Sequence, residues 1–160
     1  MELELVKASK YHSTFVWEWR NDEVSRKMFK NQNYVTWKDH NEWFEKSLLN
    51  SKRIMYVGIL NENPVGIVRF DMSNYKIDEC FVSINISPSY RGRGIGKIML
   101  KKSIICLMNS YKEISILKAE VKNKNLASHK LFINCEFKIS FENDDLIIYH
   151  YNKIDNNLID

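Results

Sequence analysis

Residues 90–96 read Tyr90-Arg91-Gly92-Arg93-Gly94-Ile95-Gly96, three glycines at alternate positions with two arginines among them. The whole chain holds five glycines in 160 residues. Glycine inside a regular element costs about 0.5–1 kcal/mol against alanine, so this clustering needs a reason. A plain surface turn, a nucleotide-binding loop and a loop wrapping a phosphate at a helix start all use glycine. The flanks separate them. Upstream, Cys80 to Ile86 reads as a strand ended by Ser87-Pro88; downstream, Ile98, Ile105 and Leu107-Met108 mark a long helix to about Asn109. A strand–loop–helix junction offers backbone N–H groups and the positive end of a helix dipole to an anion. Arg91, Arg93 and Lys97 add full charges. The loop lacks the GxxxxGK(S/T) of a Walker site. Its GxGxG spacing, with no ordered βαβ repeat around it, also fails as a dinucleotide fingerprint. Phosphate wrapping is the reading that the context favours over a plain turn.

Outward from the loop, alternation and helical spacing predict the remaining elements. Leu3 to Val6 is a strand. Tyr11, Phe15, Val16 and Trp19 mark a helix stopping near Arg20-Asn21, and a short helix follows from Val24 to Met28 with Asp22 as N-cap. Thr36-Trp37-Lys38-Asp39 has capping-box form and opens a helix carrying His40, Trp43, Phe44 and Leu48. Arg53 to Leu60 and Val65 to Asp71 are strands joined by a turn over Asn61-Glu62-Asn63-Pro64. Ile114 to Val121 is a strand, Leu126 to Asn134 a helix, and Phe137 to Phe141 with Leu146 to Tyr151 a closing hairpin. This order predicts an α/β fold: a single domain over residues 1–160, with a mixed central sheet of about seven strands flanked by helices.

Composition bounds the function. A hydrophobic content of 44% with four tryptophans supports one well-filled core, and the net charge of +4 is too mild to argue for nucleic acid. Apolar runs such as Ile104 to Met108 are too short to cross a bilayer. The opening MELELVK is acidic and alternating, unlike a secretory signal. Cys80, Cys106 and Cys135 are odd in number and far apart, which argues against a disulfide framework or zinc site and for a reducing cytoplasm. The expectation is a cytoplasmic protein with no metal, no nucleic-acid partner and no membrane association; a homodimer is compatible with the sequence.

Arg91-Gly92-Arg93-Gly94-Ile95-Gly96 resembles the R/Q-x-x-G-x-G/A signature of the GNAT superfamily of N-acetyltransferases. Ser83-Ile84-Asn85-Ile86-Ser87-Pro88 resembles the family's fourth strand. Asn125-Leu126-Ala127-Ser128, followed by Leu131-Phe132 and Phe137, resembles its N-x-x-S-x-x-L-Y-x-x-x-G-F segment. Two departures stand out: Phe132 where the family often has tyrosine, and Glu136 where it usually has glycine. The resemblance spans essentially the whole chain. It implies acetyl-coenzyme A as co-substrate, with Arg91, Gly92, Arg93, Gly94, Ile95, Gly96 and Lys97 at its pyrophosphate, and Ile84 and Ile86 beside its pantetheine. Asn125 and Ser128 lie near the coenzyme, although both suit a helix cap.

Acetyl transfer from a thioester to an amine needs a neutral nitrogen, a stabilised oxyanion and a protonated leaving thiolate. An alkylammonium has a pKa of about 10.4, so a base or desolvating pocket must act. By resemblance, backbone N–H groups of the Ser83 to Ser87 strand hold the oxyanion, and Ser83 is a catalytic candidate. Val82, Ile84 and Ile86 alternate with Ser83 and Asn85; Ala119 and Val121 alternate with Lys118, Glu120 and Lys122. If the polar faces align, Glu120 reaches the cleft as the base; otherwise it is a solvated glutamate. Glu79 and His40 are lesser candidates. Phe132 cannot protonate a thiolate, whereas Tyr90 and Tyr111 can. Lys101 and Lys102 read as a solvated helix face.

The acceptor side in this family is formed by the N-terminal third. Trp19-Arg20-Asn21 with His40 and Trp43-Phe44 resembles a subgroup containing nucleotide-sugar N-acetyltransferases, above all those acting on a UDP-4-amino-4,6-dideoxy sugar in pseudaminic acid synthesis. The same pattern occurs in ribosomal-protein and polyamine acetyltransferases. The implied partner is a small-molecule amine, a nucleotide-linked amino sugar first, bound by Arg20, Asn21, His40 and Trp43. Arg20 can pair with phosphate, His40 can donate to one, and Trp43 or Trp19 can stack on a base or sugar. Both tryptophans equally suit a core. A non-catalytic acetyl-CoA-binding module is the reading from another class.

Overall fold

The structure, a computed structural model, describes residues 2–155. Strand β1 (Leu3–Lys7) is followed by a 3₁₀ turn (Lys10–His12) and by α1 (Ser13–Asn21), α2 (Glu23–Met28) and α3 (Trp37–Leu49). Strands β2 (Arg53–Leu60), β3 (Asn63–Met72) and β4 (Glu79–Ile86) form a meander. After a second 3₁₀ turn (Pro88–Tyr90), α4 (Ile95–Ser110) crosses to β5 (Ile116–Lys122). Helix α5 (Leu126–Asn134) then leads to β6 (Lys138–Glu142) and β7 (Leu146–Asn152). The sheet order is β1-β2-β3-β4-β5-β7-β6. Every neighbouring pair is antiparallel except β4 with β5. This is the mixed seven-stranded α/β sheet expected from the sequence.

Local chemistry accounts for the element ends. Asp22 accepts the Ser25 N–H at 3.0 Å and caps α2. Thr36 Oγ1 accepts the Asp39 N–H at 3.2 Å and donates to the Asp39 carboxylate at 2.7 Å. Two of the boundaries that differ from expectation have a local cause. The β2–β3 turn is only Asn61-Glu62, both at positive φ (49° and 65°), the signature of a tight type I′ hairpin, so β3 begins at Asn63. Strand β5 begins at Ile116 because Ile114 closes a turn on the Tyr111 carbonyl at 3.1 Å.

Two apolar clusters sandwich the sheet. Helix α4 buries Met99, Leu100, Ile104, Leu107 and Met108 against Val68, Phe70, Leu117 and Ala119, with Phe132 of α5 beside them. On the other face Val16, Trp19 and Phe44 cover Met55, Val57 and Ile67. Trp19 is therefore core. A Cβ on Gly58 would stand 2.7 Å from Met99 Sδ, so this glycine lets α4 lie close on the sheet.

The feature that positions the site is a fork. Strands β4 and β5 pair only at Glu79–Ile116, Cys80–Leu117 and Phe81–Lys118. Beyond that, β4 follows β3 to Ile86 while β5 follows β7 to Lys122, and the two strands part.

Candidate active site

The glycine loop lies at the end of β4, at the mouth of the fork. Gly92 and Gly94 have φ of 73° and 76°, with open space where a Cβ would stand. Gly94 is the N-cap of α4. The N–H groups of Gly92 to Gly96 have no acceptor among the described residues, whereas Lys97 and Ile98 already donate to the Gly94 carbonyl. A run of free donors at a helix N-terminus, with room in front of it, fits a pyrophosphate. Arg93 lies over the Tyr90 ring at 5.5 Å, and Lys97 is exposed in the first turn. A cleft of about 1470 Å³ runs from this loop along the fork and is also lined by Ile84, Ile86, Asn125 and Ser128. Asn125 caps α5, its side chain accepting the Ser128 N–H at 3.2 Å.

Ladder parity decides which backbone groups face the fork. Ser87 N–H donates to Val65 and Ser73 N–H to Glu79, both at 2.9 Å. In an antiparallel ladder alternate residues point the same way, so Ser83 and Asn85 also turn their N–H groups toward β3. The N–H groups of Ile84 and Ile86 point into the gap instead. The backbone donors that this strand turns into the gap are thus those of Ile84 and Ile86, and Ser83 turns only its hydroxyl away from β3.

Ser83, Asn85 and Glu120 do share one side of the sheet, as polar alignment predicts. All three line the cleft, and Glu120 pairs with Lys30 at 2.5 Å. Glu79 does not reach the cleft: it is buried at the foot of the fork and pairs with Lys118 at 2.8 Å. Tyr111 ends α4 against the core, and Tyr90 stands beside the loop. Lys101 pairs with Glu136 at 3.0 Å and Lys102 bonds the Leu3 carbonyl at 2.7 Å.

A second cavity of about 390 Å³ adjoins the cleft under α1 and α3. It shares Ser83, Ile84 and Asn85 with the cleft and is also lined by Arg20, His40 and Trp43. Arg20 donates Nη2 to the Asn31 carbonyl at 2.6 Å and lies over Phe29 at 4.2 Å, while its Nη1 is buried without a partner. Burial, with Arg26 nearby, pulls Arg20 below its usual pKa. Trp43 is partly exposed, with Arg53 and Arg69 stacked near its ring at 5.5 and 5.8 Å.

Three sequence expectations need correction. Asn21 has no free amide for a ligand: its Oδ1 accepts the Val35 N–H and its Nδ2 donates to the Val35 carbonyl, each at 2.8 Å. His40 is buried, donates Nε2–H to the Ser13 carbonyl at 2.9 Å, and burial lowers its pKa, so the one N–H of its neutral ring is already taken and none is left to donate to a phosphate. Arg91 directs its guanidinium to the Ile86 carbonyl, Asp22 and Ser25 rather than to the free N–H row. Sequence reading missed Arg69, Phe29, Asn31 and Lys30. Arg69 was hidden inside an apolar strand run, and the others stood in a segment with no periodicity.

Parted parallel strands with a free-donor loop at their mouth form a slot that suits an extended ligand carrying a pyrophosphate. A model described as the acetyltransferase (GNAT) family matches residues 12–137, and the chain belongs to that family. It is an acetyl-CoA-dependent N-acetyltransferase. Similar solved structures include the spermidine N-acetyltransferase of Vibrio cholerae with CoA and spermine, at 16% identity and TM-score 0.83 over 95% of this chain and 96% of that one. PseH of Campylobacter jejuni with acetyl coenzyme A is 19% identical, TM-score 0.73, over 95% and 99%. The aminoglycoside acetyltransferase AAC(6')-Ib with coenzyme A is 15% identical, TM-score 0.81, over 96% of each. No curated protein matches the chain in sequence. Among the described residues, no His, Cys, Asp and Glu cluster suits a metal, and no helix is long and apolar enough to cross a membrane.

Proposed function

We propose that the acceptor is the primary amine of a nucleotide-linked amino sugar, a UDP-4-amino-4,6-dideoxy sugar first among them. The observation that carries this reading is the charge of the acceptor cavity. Its lining holds two guanidinium groups: Arg20, whose Nη1 is buried without a partner among the described residues, and Arg69, which pairs with Asp71 at 2.8 Å. Among the described residues lining it, Asp39 is the one carboxylate, and it accepts from the Thr36 hydroxyl. A polyamine needs several carboxylates, whereas an anionic ligand with a flat end suits two guanidiniums beside Trp43 and Phe29.

In this reading the free N–H groups of Gly92 to Gly96, with Arg93 and Lys97 around them, hold the coenzyme's pyrophosphate, and the pantetheine enters the fork. Glu120, directly or through water, takes the proton of the acceptor ammonium, displacing Lys30. The neutral nitrogen attacks the thioester carbonyl. The Ile84 and Ile86 N–H groups hold the oxyanion as the C–S bond breaks. Phe132 offers no acid, so the second proton, released by the attacking nitrogen as the amide forms, passes through cleft water to the departing thiolate.

The test compares UDP-4-amino-4,6-dideoxy sugar, the same sugar without UDP, and spermidine, each with parent and Arg20→Ala enzyme. Loss of UDP or of Arg20 should each lower kcat/KM, and the two losses should not add. Faster turnover of spermidine than of any nucleotide sugar overturns the acceptor assignment.

A further inference from the structure

Helix α2 touches both arms of the fork. At its N-terminus Asp22 Oδ2 accepts the Ser25 N–H at 3.0 Å and Arg91 Nη1 at 2.8 Å. Arg91 Nη2 donates to the Ser25 hydroxyl at 2.7 Å, and that hydroxyl donates to Asn85 Oδ1 of β4 at 3.1 Å. Arg91 Nε closes the network on the Ile86 carbonyl at 3.1 Å. That carbonyl points into the gap left by β5, where it has no strand partner, so a guanidinium takes the place of the missing ladder bond. At the other end of α2, Lys122 of β5 donates to the carbonyls of Phe29 and Lys27. Opposite ends of one short helix are thus fastened to opposite arms.

Charge supports the N-terminal latch. Burial works against the Asp22 carboxylate, but the Ser25 N–H and Arg91 outweigh it and hold Asp22 below its usual pKa. The pair is half-buried, with side-chain exposures of 31% and 23%, and its three Arg91 bonds share one rigid fork, unlike a lone surface ion pair. From α2 the chain continues to Phe29 and Asn31, which line the acceptor cavity.

We propose that α2 is a crossbar setting the mouth of the fork, and that Arg91 is a positioning residue coupling the coenzyme loop to the acceptor wall. Its backbone belongs to the loop and its side chain to the crossbar. Ordering the loop on the coenzyme therefore holds Arg91, and Arg91 holds α2. This rests on the reading that the loop takes the pyrophosphate, which is tested separately by the CoA affinity of Gly94→Val.

The test is amide hydrogen exchange, with and without saturating CoA, on the parent, Arg91→Lys and Asp22→Asn, each checked for folding by circular dichroism. In the parent, CoA should slow exchange in α2 about tenfold, within the range usual for coupled sites. In both variants α2 should lose that response while the start of α4 stays protected by CoA. A structural role alone lowers the melting temperature without changing the response of α2 to CoA. If Arg91→Lys fails to fold or to bind CoA, Asp22→Asn, outside the loop, carries the test. An α2 slowed equally in Asp22→Asn and parent, or not slowed in the parent, overturns the proposal.

Discussion

Glu120 of β5 and Lys30, two residues beyond α2, form an ion pair of 2.5 Å over the cleft. The Lys30 side chain is 79% exposed, and exposed pairs of this kind contribute little stability. The carboxylate is therefore held at the cleft wall by a partner that an incoming ammonium can replace. Glu120→Gln should lower kcat about 100-fold with CoA affinity unchanged. The loss should be largest at low pH, where free amine is scarcest. Rates equal to the parent from pH 6 to 9 would remove Glu120 from the chemistry.

Two glycines of the loop should respond in opposite ways. Gly94 has φ of 76°, where a β-branched residue is strained by about 1–2 kcal/mol. Gly94→Val should lose at least tenfold in CoA affinity by calorimetry and some stability, yet fold, since a Cβ there meets nothing within 4 Å. At Gly96 an added Cβ makes ordinary contacts, 3.5 Å to Ile86 and 3.6 Å to Leu131. Gly96→Ala should bind CoA within about threefold of the parent and gain helix stability of up to about 1 kcal/mol.

His40 sets a pH dependence. Burial depresses its pKa in the folded state, so below about pH 6.5 the unfolded chain takes up the proton first. Stability is therefore fullest above that pH and falls as pH drops toward the folded value. The stability advantage of the parent over His40→Phe should shrink between pH 7 and pH 5 in urea titrations. An advantage that grows in acid would mean a charged, paired imidazole.

Glu136 occupies a left-handed turn after α5, with φ of 69°. Its ion pair with Lys101 is exposed on both sides and weak for that reason. Glu136→Gly should relieve backbone strain with a net gain of about 0.5–1 kcal/mol. At this chain length that is a rise of about 1–4 °C in Tm. A lower Tm would show that the Lys101 pair outweighs the strain.

Periodicity and turn chemistry are local, and what depends on them was legible from residues alone. The glycine loop between a strand stop at Pro88 and an apolar helix, the Asp22 and Thr36 caps, and the alternation of Ser83 and Asn85 with Val82, Ile84 and Ile86 all follow from neighbours in the chain. So does the common polar side of Ser83 and Glu120, once the strands are taken as adjacent.

Partner choice is not local. Whether Arg91 meets a phosphate or Asp22, whether Asn21 meets a ligand or Val35, and whether His40 is charged depend on residues brought from 14 to 69 positions away. Arg69 in an apolar strand and Phe29 in an unpatterned segment face the smaller cavity only because α1 and α3 fold over that side of the sheet. The class of fold and the placing of the loop follow from residue order, because both are set by backbone periodicity. Tertiary structure alone decided which polar groups remain free, because a donor or acceptor is available only after every nearer partner in space has been satisfied.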